Sequence, residues 1–194
     1  MSLLSKLLGR RSWSVHTTLD RPLEIHGPTI GFLNLSGAAG ARLLEADKCA
    51  LGPLFSETRV SNGLPPPHCD VLFIYWKLNP EADAPGLAVF PRDVIRAAHA
   101  YIAVFALEND SKVYIEHIGK RSDWGANIVM VLDRNGDKFA GFFARLFAAM
   151  FENQSMLMAW IQLAPQGPSP KHAEMPSSIL TAEAGHITFN RRTR

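Results

Sequence analysis

Four apolar runs of this chain are each followed at once by polar or charged residues that could do chemistry. Lysine and arginine bind anions, carboxylates bind hard cations or exchange protons, and glycine backbone can approach a phosphate. In open α/β sheets, ligands bind outside the carboxyl ends of the strands. The ends of ordinary solvated strands have the same composition, which is the alternative interpretation. The residues selected as a candidate ligand-binding site are Ser36, Gly37, Gly40, Trp76, Lys77, Glu108, Asn109, Asp133 and Arg134.

The segment Gly37-Ala-Ala-Gly40 follows a predicted strand and precedes a predicted helix. Backbone N–H groups in that position could contact a phosphate. The third glycine of a dinucleotide fingerprint is missing, because Leu43 occupies that spacing, and the chain contains no GxxxxGK[ST] sequence. Nucleotide binding therefore stays an alternative, and we predict no cofactor.

The two cysteines, Cys49 and Cys69, have neither a CxxC spacing nor the Cys/His spacing of a zinc site. His68 is the chain neighbour of Cys69, and neighbouring residues of a strand point to opposite faces. A thiolate activated by that histidine is not expected. We predict two buried, unreactive thiols, no catalytic residue and no metal site.

Residues 127–166 have the clearest local pattern, that of one β-α-β unit. A run of mostly apolar residues from Asn127 to Leu132 predicts a buried strand. A second apolar run, residues 156–163, predicts the returning strand. Between them, six apolar side chains recur at spacings of 3, 1, 3, 1 and 3, which places them on one face of a helix: Phe139, Phe142, Phe143, Leu146, Phe147 and Met150.

The rest of the chain repeats this alternation of strands and helices. It predicts a three-layer α/β/α sandwich with a mostly parallel sheet, either flavodoxin-like or caspase-like. Residues 179–182 and 186–189 predict a C-terminal β-hairpin. The other predicted elements are strands at residues 29–36, 57–60, 71–76 and 101–107, and helices at about 38–47, from Pro91, and from a capping Ser111 to His117.

The run Cys69-Asp-Val-Leu-Phe-Ile-Tyr-Trp-Lys77, the helix that begins at Pro91 and the two strands that follow it occur in an informative order. In this layout, over roughly residues 29–163, the chain resembles the caspase-like peptidases, particularly their bacterial CHAT branch. That family has a His-Gly at the end of one central strand and a nucleophilic cysteine at the end of the next. This chain has Trp76-Lys77 and Leu107-Glu108 at those places, so the resemblance implies the fold without its catalytic dyad.

The charges are distributed unevenly. Six of the 20 basic residues lie in the two tails, which contain no acidic residue, so 14 basic residues face all 18 acidic ones in the body. The body is therefore about −4 and the tails +6, whereas nucleic-acid readers concentrate basic charge on the fold itself. We therefore expect no nucleic-acid partner. The tail residues are Lys6, Arg10, Arg11, Arg191, Arg192 and Arg194.

The chain is divided into an N-terminal basic amphipathic segment (residues 1–26), a single α/β domain (27–190) and a basic tail (191–194). Residues 1–13 have leucines on one helical face with basic residues beside them, a pattern typical of contact with a membrane surface. A tail, or a helix docked on this domain or a partner, would have the same pattern.

Because no nucleophile with its general base and no phosphate loop is recognisable, we expect a non-catalytic interaction or regulatory module. Its form would be a degenerate caspase-like domain. Its partner would be another protein or a second copy of the chain, and its location cytoplasmic. The alternative is a small-molecule or nucleotide-binding enzyme whose site lies at the carboxyl ends of the strands. A concave pocket lined by the selected side chains would favour the alternative.

Overall fold

The computed structural model describes residues 23–78, 90–118, 124–164 and 175–191. The predicted membrane-contacting residues 1–13 and the last three residues of the basic tail lie outside these ranges. The strands of the described residues are β1 (Leu23–His26), β2 (Thr29–Asn34), β3 (Glu57–Ser61), β4 (Val71–Tyr75), β5 (Ile102–Phe105), β6 (Asn127–Asp133), β7 (Ser177–Ala182) and β8 (Ile187–Asn190).

Helices connect most of these strands. They are α1 (Gly37–Leu51, extended by a 3-10 turn, Gly52–Leu54), α2 (Pro91–Ala98), α3 (an α-helical turn, Ser111–Val113, continued by a π-helical turn, Tyr114–Ile118), α4 (Lys138–Phe151) and α5 (Met156–Leu163). No described helix combines the length and the apolar content needed to cross a bilayer.

The main sheet has six strands in the order β3-β2-β4-β5-β6-β7. The first five are parallel, and β7 is antiparallel to β6. Counted within this sheet, the parallel strands follow the flavodoxin-like order 2-1-3-4-5. The predicted fold class is confirmed. The order reverses between β2 and β4, so the chain leaves these two neighbouring strands in different directions and opens a crevice at their carboxyl ends.

Both faces of the sheet are covered. One face packs against α1, α4 and α5 together with β1 and β8, and the other packs against α2 and α3. All five residues of β4 are buried, as expected of a central parallel strand with helices on both sides. The side chains that alternate along β4 therefore divide between two cores.

The predicted stripe on α4 is confirmed, since all six of its side chains are completely buried. Phe143 lies at the centre of this stripe, with its ring centroid 5.2 Å from that of Phe73 on β4 and 4.9 Å from that of Phe139. Near-perpendicular aromatic pairs such as Phe73 and Phe143 add to the free energy that burial alone contributes. This packing fixes α4 over the middle of the sheet.

The predicted returning strand at residues 156–163 was wrong, because this segment is helix α5. The Ser155 side chain accepts a hydrogen bond from the Met158 N–H (3.3 Å), which caps the helix. Met156, Ala159 and Trp160 are buried at the spacing of a helical face. An apolar run of eight residues fits a strand or a buried helix equally well, so periodicity alone could not decide.

Other differences concern the pairing of the C-terminal strands, the start of the domain and the cap of α3. Strands β7 and β8 follow one another through a turn, but β7 pairs with β6 and β8 pairs with β1. Leu23–His26 was assigned to the N-terminal segment, yet it forms β1 and buries Ile25 in the core, so we include it in the domain. The short helix α3 is capped by Asp110 rather than Ser111, because the Asp110 carboxylate accepts the Lys112 N–H at 2.8 Å.

Candidate functional site

A cleft of about 990 Å³ lies between α1 and α4, at the carboxyl ends of the central strands. Four of the predicted site residues line it: Ser36, Lys77, Glu108 and Arg134. The other lining residues come mainly from one side of α1 and from the beginning of α4: Ala39, Arg42, Leu43, Ala46, Asp47, Ala50, Leu107, Gly136, Asp137 and Ala140. Small apolar side chains thus form much of the wall, and charged side chains are interspersed among them.

The wall of the cleft contains a buried ion pair. Nη2 of Arg134 donates to both carboxylate oxygens of Asp47, at 3.0 and 3.1 Å, and Nη1 donates to the Ala106 carbonyl at 2.7 Å. The Tyr75 hydroxyl donates to Asp47 Oδ2 at 2.6 Å. The guanidinium also lies 3.7 Å from the centroid of the Phe139 ring. These contacts join α1, β4 and α4 beneath the cleft.

Burial dominates the titration of this group. It raises the pKa of Asp47 above its ordinary value of 3.8, against the opposing effects of Arg134 and the Tyr75 hydroxyl. The pKa of Tyr75 is raised well above its usual range, chiefly by burial and then by the charge on Asp47. The phenol therefore keeps its proton and acts as a hydrogen-bond donor to the carboxylate.

Sequence reasoning selected Arg134 but missed Asp47 and Tyr75. The signal for Asp47 was present, since Leu44, Asp47 and Leu51 are spaced 3 and 4 apart and form the buried face of α1. A carboxylate on the apolar face of a helix is rarely buried without a charged partner. This pattern predicts a buried cation nearby, although it cannot say which one.

The two loops at the reversal of strand order are hydrogen-bonded to each other. Ser36 Oγ accepts the Lys77 backbone N–H at 3.0 Å. Asn34 holds the first loop, because its Oδ1 accepts the Ser36 N–H at 3.0 Å and its Nδ2 donates to the Gly37 carbonyl at 2.8 Å. The Ser36 N–H, which precedes the first turn of α1, is therefore already bound. This bond does not involve the backbone N–H groups of Gly37-Ala-Ala-Gly40, so phosphate contact by that segment stays a prediction.

The ends of β4 and β5 are also joined. Lys77 Nζ donates to the Glu108 carbonyl, and Glu108 Oε1 accepts the Arg134 backbone N–H at 3.3 Å. The buried Asn109 accepts the Leu78 N–H at 2.9 Å through Oδ1, and its Nδ2 donates to the Trp76 and Leu107 carbonyls. Asn109 therefore fastens the loops and does not line the cleft.

Four further predicted residues also lie outside the cleft. Gly37 has a φ of +59° and lines a separate hollow of about 510 Å³ beside Asn62. Trp76 packs on the opposite face of the sheet, against the α2 and α3 core, because it alternates with Tyr75. Asp133 is exposed and accepts the Asn135 N–H at 2.8 Å, which makes it a turn residue. Gly40 is buried against β4, where it allows α1 to pack closely.

We expect Gly40→Ala to destabilise the domain by about 1–3 kcal/mol, because a Cβ there would overlap Asn34 Oδ1 and lie 3.1 Å from Tyr75 Cβ. The matched control is Gly141→Ala on α4, where a Cβ would meet only Arg145 Nη1 at 3.9 Å. That change should stabilise by up to about 1 kcal/mol through helix propensity. Urea unfolding measures both variants, and a stabilised Gly40→Ala would contradict the close packing of α1.

The thiols lie away from the cleft. Cys69 is buried just before β4, at the amino end of the sheet, and burial raises its pKa to about 12. The prediction that both thiols are buried was wrong for Cys49, which is exposed because it lies off the buried face of α1. Within the described residues, no three histidine, cysteine or acidic side chains come together as metal ligands.

Comparisons with known proteins were made at the level of sequence and of fold. No protein-family model, no curated protein and no solved structure matches this chain.

Proposed function

We propose that this chain is a non-catalytic regulatory module, and that the cleft between α1 and α4 is where it binds a ligand. The observation that carries this proposal is that charged and polar side chains of the lining are bound to other parts of the protein. Arg134 and Asp47 neutralise each other, and Ser36 and Lys77 hold neighbouring loops together. Groups that fix the scaffold are poorly placed to act as acid, base or nucleophile, whereas a cleft with apolar walls suits binding.

We further propose that the module is a degenerate caspase-like domain. In this sheet the two strand ends where that family carries its dyad are neighbours, because β4 pairs with β5. Lys77 and Glu108 occupy them and are joined through the Glu108 carbonyl. Lys77 stands where the family has its histidine, and Glu108 stands where it has its cysteine. This replacement supports a domain that has lost peptidase chemistry and kept a cleft.

An enzyme is the second candidate, and one observation favours it. Ser36, Lys77 and Glu108, named as candidates from sequence, do line one concave space. Asp133, which was also a candidate from sequence, is exposed and does not line that space. Turnover of a bound molecule would establish the enzyme, whereas binding without conversion supports the module.

The regulatory role implies a recipient of the signal. We propose that this is a protein partner or a second copy of the chain, and that the module works in the cytoplasm. For the N-terminal segment, we propose that residues 1–13 contact a membrane surface.

A fragment library screened by ligand-observed NMR tests the binding function. Ala46→Trp places a large side chain in the cleft, and we expect it to abolish most of the binding seen with the unaltered protein. Ala148→Trp, also an exposed helical alanine but outside the cleft lining, should bind as the unaltered protein does. Fragments that bind Ala46→Trp undiminished, or that are chemically converted, would refute the proposal.

A further inference from the structure

We propose that the occupant of this cleft is a linear aliphatic anion, for which a fatty carboxylate is the probe. The inference rests on the proposed function, since it requires the cleft to be a binding site. It is carried by two features of the lining: hydrogen-bond donors and cations without a carboxylate partner, and an aliphatic wall along α1.

The donors come from Ser36, Arg42 and Lys77. Ser36 Oγ accepts the Lys77 N–H, so its own hydroxyl proton remains available to donate. Lys77 Nζ donates to a carbonyl, which leaves its positive charge unpaired and further N–H groups free. Among the described carboxylates none forms an ion pair with the exposed Arg42.

The negative side chains of the same lining are already stabilised by the protein. Asp47 is paired with Arg134. Glu108 accepts the Arg134 backbone N–H, and Asp137 is at the N-cap position of α4, where the helix dipole favours a negative charge. Glu108 and Asp137 have no cation partner, but each is stabilised by a backbone N–H or by the helix dipole. Arg42 and Lys77 have neither a counter-charge nor such a compensation, so an anion is the headgroup that complements them.

The rest of the ligand must suit an aliphatic wall. Ala39, Leu43, Ala46 and Ala50 follow one another along α1 at spacings of 4, 3 and 4, a line roughly 16 Å long at the rise of an α-helix. Leu107 and Ala140 add apolar surface from β5 and α4. No residue of this lining is aromatic, so it offers no ring to stack on a nucleobase. A saturated chain fits this wall.

Binding of sodium decanoate, measured by isothermal titration calorimetry on the full chain, tests the proposal. We expect saturable binding that Ala46→Trp abolishes and Ala148→Trp does not. Arg42→Gln and Lys77→Gln should each weaken binding about tenfold, the effect of losing a charged hydrogen bond. Lys112→Gln, an exposed lysine on α3, should have no effect.

Two further compounds separate the contribution of the charged headgroup from that of the alkyl chain. Decan-1-ol and decyltrimethylammonium should bind at least about tenfold more weakly than decanoate, because neither offers an anion. Equal binding of all three, or decanoate binding that is insensitive to Ala46→Trp, would overturn the proposal. If library fragments bind in the cleft and decanoate does not, the ligand class is wrong and the binding function stands. If nothing binds in the cleft, both proposals fail.

Discussion

Phe143→Ala is expected to destabilise the domain by about 3–5 kcal/mol, because it would leave a cavity in the middle of the α4 stripe. Phe143 is completely buried and contacts the rings of Phe73, Phe139 and Phe142. Few neighbours could move into the space, since they belong to a sheet and a helix that are packed on several sides. Equilibrium unfolding in urea gives the free energy directly.

The matched control for this prediction is Phe90→Ala. Phe90 precedes α2 and is 51% exposed, so its removal should cost less than about 1 kcal/mol. Similar losses for the two variants, or a Phe143 loss below about 1 kcal/mol, would show that α4 does not pack on the sheet as described.

Asp47→Ala is expected to cost a similar amount, about 3–5 kcal/mol, because it leaves the Arg134 guanidinium buried without its carboxylate. The Tyr75 hydroxyl would lose its acceptor in the same step. Asp47 is the carboxylate with which the Arg134 guanidinium is paired among the described residues.

The double variant Asp47→Leu with Arg134→Met separates charge from packing. Replacing both members of a buried pair by apolar residues is often far less harmful than removing one. We therefore expect the double variant to be more stable than Asp47→Ala in the same urea experiment. If both variants are equally unstable, the packing of these side chains matters and their pairing does not.

The pH dependence of stability gives a second view of Asp47. Because its pKa is raised on folding, the folded state holds this proton over a range in which the unfolded state has lost it. The contribution of Asp47 to stability is therefore fully present below pH 3.8, the ordinary pKa of the carboxyl group. It decreases as the pH rises from that value through the raised pKa of the folded state. Asp47→Asn should remove that decrease, and urea unfolding across this range would reveal it. An unchanged profile would mean that Asp47 titrates normally.

Much of the fold could be predicted from local patterns. The α4 stripe and the buried runs of β4 and β6 identify elements by periodicity, and their alternation implies a parallel sheet. What failed was the choice between strand and helix for α5, where eight apolar residues carry no decisive period. Pairing partners of β1 and β8 could not be predicted, since they lie far apart in the chain and meet only in the folded state.

The site was predicted in part for a similar reason. Strand ends are visible in a sequence, so Ser36, Lys77, Glu108 and Arg134 could be selected and do line the cleft. The direction of a strand-end side chain depends on which residue ends the strand, and that residue is not evident from the sequence. For this reason Trp76, Asn109 and Asp133 were predicted for the site but do not line the cleft. The contribution of α1, with Arg42 and Asp47, depends on how the helix is rotated over the sheet.

Alanine-methyl NMR tests the central claim most directly, because alanines line the cleft and also lie elsewhere. With bound library fragments, we expect the methyl signals of Ala39, Ala46, Ala50 and Ala140 to shift and the fragments to be recovered unchanged. The signals of Ala97 and Ala148, which lie outside the cleft lining, should stay in place. Shifts confined to Ala97 or Ala148, or chemical conversion of the fragments, would contradict a non-catalytic module that binds its ligand between α1 and α4.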